Sequence, residues 1–217
     1  MPYTIFPTGY VEALPYADLD MRRGGGRTYR FSAAPKVFEF GSGLNVMNFS
    51  VSFELESDTI TTNETAAVRV SVTNHGLRKA TASMATNACG AFSVLGFVSP
   101  VAGDSSFVKQ LFDFSRLDCV VVGSTVNLTL QVTPWARSEV DMNGRRFSKP
   151  GEFRVTIADA ESNRPVSLKV LGPSTTLTDY FGNGSGSVKH KTDDDPARPL
   201  CGCGPTPLCL SFSNILS

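Results

Sequence analysis

The sequence predicts an all-β protein, a β-sandwich of the immunoglobulin or fibronectin type III kind, from three observations. Apolar and polar residues alternate along several short segments, which buries one face of a strand and exposes the other. Turn-forming residues separate these segments, and no helical period of useful length appears between residues 46 and 171. The clearest alternation lies at 68–73 (VRVSVT), 126–133 (VNLTLQVT), 153–158 (FRVTIA) and 166–170 (VSLKV).

The segments between the predicted strands carry recognisable turn chemistry. Asn143-Gly144 is a strong hairpin signal, because both residues adopt the backbone angles that a tight turn requires. We also expect turns at 73–79 (TNHGLRK) and 99–106 (SPVAGDSS). About seven short strands are therefore expected between residues 46 and 172.

The alternation also predicts which side chains form the core. A one-residue slip would turn the whole apolar set of a strand to water, so burial specifies the register. The side chains expected to point inward are Phe53, Val70, Val72, Leu128, Leu130, Phe153, Val155 and Leu168. Those expected to face solvent are Arg69, Ser71, Asn127, Thr129, Arg154 and Thr156.

Both ends of the chain differ from the predicted sandwich. Residues 1–45 are rich in Pro, Gly and Tyr and show no period, which predicts an extended linker that lies against another surface. We expect Phe31, Phe38 and Phe40 to be partly exposed or to fold back on the sandwich edge. Residues 173–217 predict a disordered tail, because their low apolar content does not offset the entropy of ordering.

The charge and hydropathy of the chain exclude two classes of partner. Twenty Lys and Arg balance twenty Asp and Glu, so the net charge is zero. Nucleic acids and anionic membrane surfaces attract basic proteins, and neither is an expected partner. No apolar run reaches the roughly 18 residues of a spanning helix. The opening MPYTIFPTGYVEALP has no basic and apolar leader pattern, so no signal peptide is expected in this chain.

The five cysteines fall into two groups. Cys89 and Cys119 have apolar neighbours and are interpreted as buried core residues. Cys201, Cys203 and Cys209 lie close together, but their C-x-C spacing is not that of a zinc site, so no metal or other cofactor is expected. A disulfide or an unstructured tail is the better interpretation of these three residues.

Four Asn-x-Ser/Thr sequences are candidate glycosylation sites: Asn48, Asn63, Asn127 and Asn183. They favour a protein of the secretory route, and hence an extracellular or lysosomal location. A glycan attaches only to an outward side chain, so the predicted register of the strand at 126–133 requires an exposed Asn127.

Five motifs occur in a collinear order that resembles a known family: GRTYRF (26–31), FGSGL (40–44), VRVSVTNHG (68–76), FVKQLFDFSRLD (107–118) and VDMNGRRFSKPGEFRVTIAD (140–159). Together they resemble glycoside hydrolase family 3 enzymes of the β-xylosidase and α-arabinofuranosidase branch, which also contains β-glucosidase-like members. The matching part is where the chain leaves the α/β sandwich domain and enters a C-terminal fibronectin type III-like domain. The likeness covers about residues 1–171.

The resemblance implies three regions and an inactive chain. Residues 1–45 correspond to a linker and remnant of the α/β domain, 46–172 to the fibronectin type III-like sandwich, and 173–217 to nothing in the family. The family hydrolyses O-glycosyl bonds in carbohydrates such as xylan, with two carboxylates about 5 Å apart. Neither family motif is present here, so no catalytic residue is assigned. Asp18 and Asp20 lie in a Pro-bounded loop and are not interpreted as a catalytic pair.

The resemblance therefore implies an accessory domain that buttresses catalytic domains. Its expected partners are the barrel and α/β domains of the parent glycosidase, with an oligo- or polysaccharide as a further candidate. The alternative is a free-standing carbohydrate-binding or adhesive sandwich. A binding module usually exposes a planar row of Trp and Tyr, whereas this chain has one Trp and most of its Tyr residues near the N-terminus.

Arg27, Tyr29 and Arg30 are the candidate binding residues. Arg and Tyr side chains together can hold a sugar, through guanidinium donors for the hydroxyls and an aromatic ring for the apolar face. The preferred interpretation is that they fix the linker to the sandwich at an interdomain contact. Contact with substrate at the rim of an active site is the second interpretation.

Overall fold

The computed structural model describes residues 3–12, 14, 17–43, 45–77, 88–101, 107–159 and 165–179. One turn of α-helix, α1 (Thr28–Phe31), and two 3-10 turns, Thr8–Tyr10 and Arg23–Gly25, precede the strands. The described strands are β1 (Met47–Leu55), β2 (Thr59–Thr61), β3 (Ala66–Leu77), β4 (Cys89–Pro100), β5 (Gln110–Val121), β6 (Thr125–Val132), β7 (Glu139–Val140), β8 (Arg145–Ser148), β9 (Gly151–Ile157), β10 (Val166–Leu171) and β11 (Thr175–Asp179). Among the described residues, no helix has the length and apolar content needed to cross a bilayer.

The described strands form two main sheets and one small sheet. A three-stranded sheet has the order β1-β3-β6, and a five-stranded sheet has the order β2-β10-β9-β4-β5. A second three-stranded sheet has the order β11-β8-β7. All described strand pairs are antiparallel except β2 with β10, which is parallel. The predicted all-β sandwich is confirmed.

One apolar core joins the two main sheets. Six of the eight predicted inward side chains are buried: Val70, Val72, Leu130, Phe153, Val155 and Leu168. Phe53 and Leu128 are half-buried and pack against the same cluster. Four of their predicted outward neighbours are exposed, namely Arg69, Asn127, Thr129 and Arg154, whereas Ser71 and Thr156 are partly exposed. The predicted register is therefore confirmed on β3, β6, β9 and β10.

The Asn143-Gly144 hairpin joins β7 to β8, as predicted. Gly144 has a φ of 75°, a left-handed angle that residues with a Cβ rarely adopt. The Asp141 carboxylate accepts hydrogen bonds from the backbone N–H groups of Asn143 and Arg145, at 2.9 Å each. β11 pairs with β8, so ordered structure continues beyond the predicted boundary at residue 172. Residues 180–217 lie outside the described residues.

The turn expected at 73–79 is wrong for residues 73–77, because β3 continues to Leu77. Asn74 is buried inside the strand, and its side chain makes one hydrogen bond across to β5 and one within β3. Its Nδ2 donates to the Val120 carbonyl at 2.8 Å, and its Oδ1 accepts from the Gly76 N–H at 2.9 Å. A φ of 93° at Gly76 accommodates the register shift opposite β1. In the other expected turn, Ser99 and Pro100 belong to β4, and residues 102–106 lie outside the described part.

Cys89 and Cys119 are not the buried core residues that the sequence analysis expects. Both are exposed, and they form a disulfide between β4 and β5 with a Cα–Cα distance of 5.2 Å. The reason is strand alternation: Val120 points into the fold, so the preceding Cys119 must point outward. Cys201, Cys203 and Cys209 lie outside the described residues.

The most buried charge in the described part of the chain is the guanidinium of Arg137, which is 1% exposed. Its Nη1 donates to the Glu64 carbonyl at 3.0 Å, and its Nη2 donates to the carbonyls of Thr62 at 2.7 Å, Glu64 at 2.9 Å and Thr61 at 3.1 Å. These carbonyls belong to the last residue of β2 and to the link between β2 and β3. Burial lowers the pKa of Arg137 to about 10, so the group remains charged at neutral pH. Arg137 thus clamps that link to the turn between β6 and β7.

Replacing Arg137 by Met should lower the free energy of unfolding by about 2–5 kcal/mol. Methionine is of similar length but carries no donor, so the carbonyls of Thr61, Thr62 and Glu64 would be left buried and unsatisfied. Urea unfolding of the disulfide-intact protein, followed by circular dichroism, measures the change.

The matched control is Arg154→Met on β9, where the arginine is exposed. We expect the control to change stability by no more than about 0.5 kcal/mol. Equal losses in the two variants would contradict the clamp, because they would show that any arginine contributes as much as Arg137.

Candidate functional site

The three candidate residues Arg27, Tyr29 and Arg30 lie on or next to α1, in a segment that returns to the sandwich. We call the described residues between 3 and 43 the strap. Gly26 must be a glycine, because a Cβ at this position would overlap the Phe31 carbonyl. The Tyr10 hydroxyl donates to the Gly26 carbonyl at 2.6 Å. The strap therefore has defined local structure, and it positions α1.

Tyr29 packs against aromatic rings rather than facing open solvent. Its ring stacks on Phe40 with centroids 4.4 Å apart and meets Phe97 edge-on at 5.9 Å. Phe40 also contacts Phe97 edge-on at 6.1 Å. Phe97 belongs to β4 but not to the central core cluster, and it is nevertheless 1% exposed. The strap thus covers Phe97 on the outer side of the five-stranded sheet.

The sequence analysis expects the aromatic rings of the strap to be partly exposed or to fold back on the sandwich, and the structure agrees. None of the three rings tested is fully buried: Phe31 and Phe40 are half-buried, and Phe38 is exposed. Phe40 folds back on the sheet, whereas Phe38 pairs through its backbone with Ile5 of the strap.

Polar contacts also hold the strap in place. The Arg30 carbonyl accepts from the Val108 N–H at 2.7 Å, and Gly43 N–H donates to the Asp159 carboxylate at 3.1 Å. Lys109 Nζ lies 3.1 Å from Glu39 Oε2 and 4.2 Å from the centre of the Phe97 ring. Burial opposes ionisation of Glu39, but the hydrogen bond and charge of Lys109 outweigh it and lower the pKa of the carboxyl.

The guanidinium of Arg30 lies over aromatic rings, 5.3 Å from the centre of the Phe31 ring. Its guanidinium lies 5.7 Å from the buried Phe107 ring. Burial is the main cause of the lowered pKa of Arg30; Tyr29 opposes this effect, and the positive charge of Arg146 on β8 makes the smallest contribution to the lowering. The Arg146 guanidinium lies 4.9 Å from the ring of Trp135 and donates through Nη1 to Ser138 Oγ at 2.9 Å. The sequence draws attention to Trp135 as its sole Trp, but its contact with Arg146 depends on the fold.

A shallow groove of about 370 Å³ lies along the strap. Its lining combines four aromatic rings with two threonines: Tyr3, Thr4, Phe6, Thr28, Tyr29 and Phe40. Tyr29 is the one candidate residue that lines it. Arg27 lies beside it in sequence, and its N–H donates to the Met21 carbonyl at 2.8 Å.

The carboxylates Asp18 and Asp20 stabilise a turn of the strap. Asp18 accepts from the Asp20 N–H at 3.0 Å and lies 3.1 Å from Arg23 Nη1, and Asp20 accepts from the Arg22 N–H at 3.0 Å. The hydrogen bond from the Asp20 N–H is the main cause of the lowered pKa of Asp18. A general acid requires a raised pKa, so Asp18 is poorly suited to that role. Among the described residues, no group of three His, Cys, Asp or Glu side chains could hold a metal ion.

Three candidate glycosylation sites fall within the described residues, and all three are exposed: Asn48, Asn63 and Asn127. Asn48 lies on β1 and Asn127 on β6, whereas Asn63 precedes β3. Asn183 lies outside the described residues. The exposed Asn127 beside the core-packed Leu128 agrees with the predicted register.

No known protein-family profile matches the chain. Curated relatives include the exo-1,4-β-xylosidase xlnD of Aspergillus oryzae, 27% identical over 71% of this chain and 21% of that protein. The xlnD protein of Emericella nidulans is 25% identical over 88% of this chain and 26% of its own length. Beta-D-xylosidase 1 of Arabidopsis thaliana is 28% identical over 73% of this chain and 24% of its own length.

Solved structures show the same fold. A GH3 exo-β-xylosidase (XlnD), solved with a xylobiose aziridine activity-based probe, superimposes with a TM-score of 0.65 at 22% identity, over 82% of this chain and 25% of that one. A β-glucosidase from Listeria innocua in complex with gluconolactone gives a TM-score of 0.54 at 19% identity, over 79% of this chain and 22% of that one.

The chain spans about a quarter of the length of the curated relatives that it matches. The matches extend over 71–88% of the chain. The chain is therefore a relative of the xylosidases of glycoside hydrolase family 3.

Proposed function

We propose that this chain is the fibronectin type III-like accessory module of a β-xylosidase-type glycosidase and supports catalytic domains that lie elsewhere in such an enzyme. The observation that carries the proposal is the distribution of exposed apolar side chains. Fifteen large apolar side chains are exposed in the described part, and seven of them belong to the first 46 residues: Tyr3, Val11, Leu19, Met21, Val37, Phe38 and Val46. Such a concentration is typical of an interaction surface.

The strap supports this role because one side of it packs on the sandwich. Tyr29 and Phe40 pack on Phe97, which fixes the strap to the sandwich. Leu19 and Val11 are 91% and 73% exposed and face away from that contact. A strap that is anchored on one side and exposes apolar side chains suits a permanent contact with a second domain.

The absence of recognised catalytic motifs supports an accessory role rather than an independent enzyme. Retaining hydrolysis needs a nucleophile and an acid/base carboxylate about 5 Å apart. The Asp18 and Asp20 carboxylates accept backbone hydrogen bonds within one turn. The catalytic carboxylates are therefore assigned to the barrel and α/β domains of the parent enzyme, which are the proposed partners of this module.

The proposed location is extracellular or within the secretory route. The Cys89–Cys119 disulfide favours an oxidising compartment, because thiols are kept reduced in the cytosol. The exposed Asn48, Asn63 and Asn127 suit N-glycosylation in the same route.

A free-standing carbohydrate-binding module is the second candidate, and the aromatic groove of the strap favours it. Tyr3, Phe6, Tyr29 and Phe40 present rings to a space of about 370 Å³. Aromatic rings pack on the apolar faces of sugars, and the threonine hydroxyls could bind sugar hydroxyls.

The isolated chain should not hydrolyse aryl xylosides, arabinosides or glucosides, whereas a chimera should. The chimera replaces the matching segment of Aspergillus oryzae xlnD by this chain, and a deletion of that segment is the reference. We expect activity of the chimera and loss of activity in the deletion. Turnover by the isolated chain that persists through repurification would overturn the accessory role, and a chimera as inactive as the deletion would contradict the buttress.

Leu19→Asp in the chimera tests the outer side of the strap. We expect a lower melting temperature, because an interdomain leucine of this size contributes about 1.5–3 kcal/mol when buried. The isolated chain should melt unchanged, since Leu19 is 91% exposed there. Met142→Asp is the matched control, because Met142 is fully exposed on the β7–β8 hairpin. Equal effects of the two substitutions would argue against docking through the strap.

Secretory expression in a eukaryotic host should attach a glycan to Asn127, because the side chain is exposed and belongs to an acceptor sequence. Asn127→Gln should then remove the mass of one glycan from the intact protein, measured by mass spectrometry. Asn143→Gln is the control at an exposed asparagine outside any acceptor sequence and should leave the mass of attached glycan unchanged. A protein of bare polypeptide mass would contradict the secretory location.

A further inference from the structure

The outer face of the three-stranded sheet carries a shallow polar groove of about 360 Å³. The strand register brings its lining together. Ser71 of β3 lies opposite Asn127 of β6, and Arg69 lies opposite Thr129. On the other side of β3, Glu54 of β1 is the partner of Arg69. Because paired residues point to the same face of a sheet, these five side chains share one surface.

Asn127 gives this groove a defined chemistry. It lines the groove, it is exposed, and it begins the acceptor sequence Asn127-Leu128-Thr129. β6 is an edge strand of its sheet. A sugar attached to Asn127 therefore either projects past the edge into water or lies inward over β3. The groove is the surface that an inward-lying sugar meets.

Two charged residues of the groove supply donors and acceptors. Arg69 donates through Nη2 to Glu56 at 2.7 Å, and a guanidinium has five N–H donors, so others remain. Glu54 Oε1 lies 3.9 Å from Arg69 Nη1, which is too far for a hydrogen bond. The Glu54 carboxylate therefore keeps acceptor capacity beside these donors. Hydroxyl and acetamide groups of a sugar can use both kinds of partner.

The middle of the groove is open, in contrast to the neighbouring row of the same face. In that row, the hydroxyls of Thr73 and Thr125 are hydrogen-bonded to each other at 2.8 Å. Ser71 and Asn127 occupy the next outward-facing row, and within the described part of the chain their side chains form no such pair. Their polar groups are therefore left to water or to a sugar.

A sugar suits this face better than a protein domain does. The face is polar and hydrated, so a domain gains little by covering it. A sugar ring carries its own hydroxyl groups, which can take the places of water molecules on the groove. Attachment to Asn127 also makes the contact intramolecular, and the resulting effective concentration allows even weak hydrogen bonds to form.

We propose that the groove beside Asn127 binds the first N-acetylglucosamine of an N-linked glycan on that residue, and that this contact stabilises the sandwich. The inference rests on the secretory location that is part of the proposed function. The first sugar lies inward over β3, against Arg69, Ser71 and Glu54, and the remaining sugars extend into water.

Trimming the glycan tests which sugar makes the contact. The full chain is produced through the secretory route of a eukaryotic host that attaches high-mannose glycans. An endoglycosidase that cleaves between the two core N-acetylglucosamines then leaves one sugar on each occupied site. We expect the trimmed and untrimmed proteins to melt at the same temperature. Trimmed Asn127→Gln should melt about 2–4 °C lower, which is the shift that one net hydrogen bond produces in a domain of this size.

Asn63→Gln is the matched control, because Asn63 is an exposed acceptor that does not line the groove. Its melting temperature should stay within about 1 °C of the trimmed protein. Loss of stability on trimming, or equal melting of Asn127→Gln and the trimmed protein, would overturn the inference alone. A bare polypeptide mass would overturn the inference together with the secretory location. None of these results bears on the accessory role, which the chimera tests.

A double-mutant cycle tests the groove itself. Arg69→Gln is measured in the trimmed protein and again in the Asn127→Gln background. We expect the larger loss of melting temperature where the sugar is present, because only there does Arg69 lose a contact with it. Arg116→Gln on β5, whose arginine pairs with Asp118, should cost the same in both backgrounds. Equal losses for Arg69→Gln in the two backgrounds would contradict a contact between Arg69 and the sugar.

Discussion

The buried guanidinium of Arg137 fixes the turn between β6 and β7, which carries Trp135. Its hydrogen bonds to the carbonyls of Thr61, Thr62 and Glu64 join the β2–β3 link to the turn after β6. In that turn, Ser138 Oγ donates a hydrogen bond to the Trp135 carbonyl and accepts one from Arg146 of β8. The buried charge of Arg137 thus helps to hold together the β2–β3 link, the turn between β6 and β7, and β8. The free-energy cost of burying this charge is offset by the carbonyls that accept hydrogen bonds from its two Nη atoms.

A second constraint acts on the opposite end of the sequence, where the strap meets Phe97. Phe97 lies on β4 outside the central core cluster, and exposure of its ring would be unfavourable. Tyr29 and Phe40 cover it with edge-on contacts, and Lys109 adds an ammonium 4.2 Å from the same ring. Because Lys109 also pairs with Glu39, the apolar and ionic contacts hold the same stretch of the strap. The sandwich and the strap therefore form one packed unit.

The sequence predicts the parts of this structure that depend on local alternation. Val70, Leu130 and Val155 lie on strands with a strict period of two, and their burial follows from it. Cys119 and Asn74 were misjudged because apolar or turn-like neighbours do not reveal which face of a strand a residue takes. The contact of Arg146 with Trp135 could not be predicted, since it depends on the register of β8 and on the clamp at Arg137. The contact of Tyr29 with Phe40 and Phe97 also depends on the fold, because the sequence shows aromatic bulk in this segment but not the rings that it meets.

The two outer faces of the sandwich differ in chemistry, and this asymmetry limits where a second domain can dock. The three-stranded sheet presents Arg69 hydrogen-bonded to Glu56 at 2.7 Å, with the exposed Asn127 nearby on β6. Such a charged and polar face is well solvated and gains little from being covered. The five-stranded sheet carries the strap, whose outer side exposes Leu19. In the proposed enzyme the catalytic domains would approach from the strap, and a glycan on Asn127 would point away from them into water.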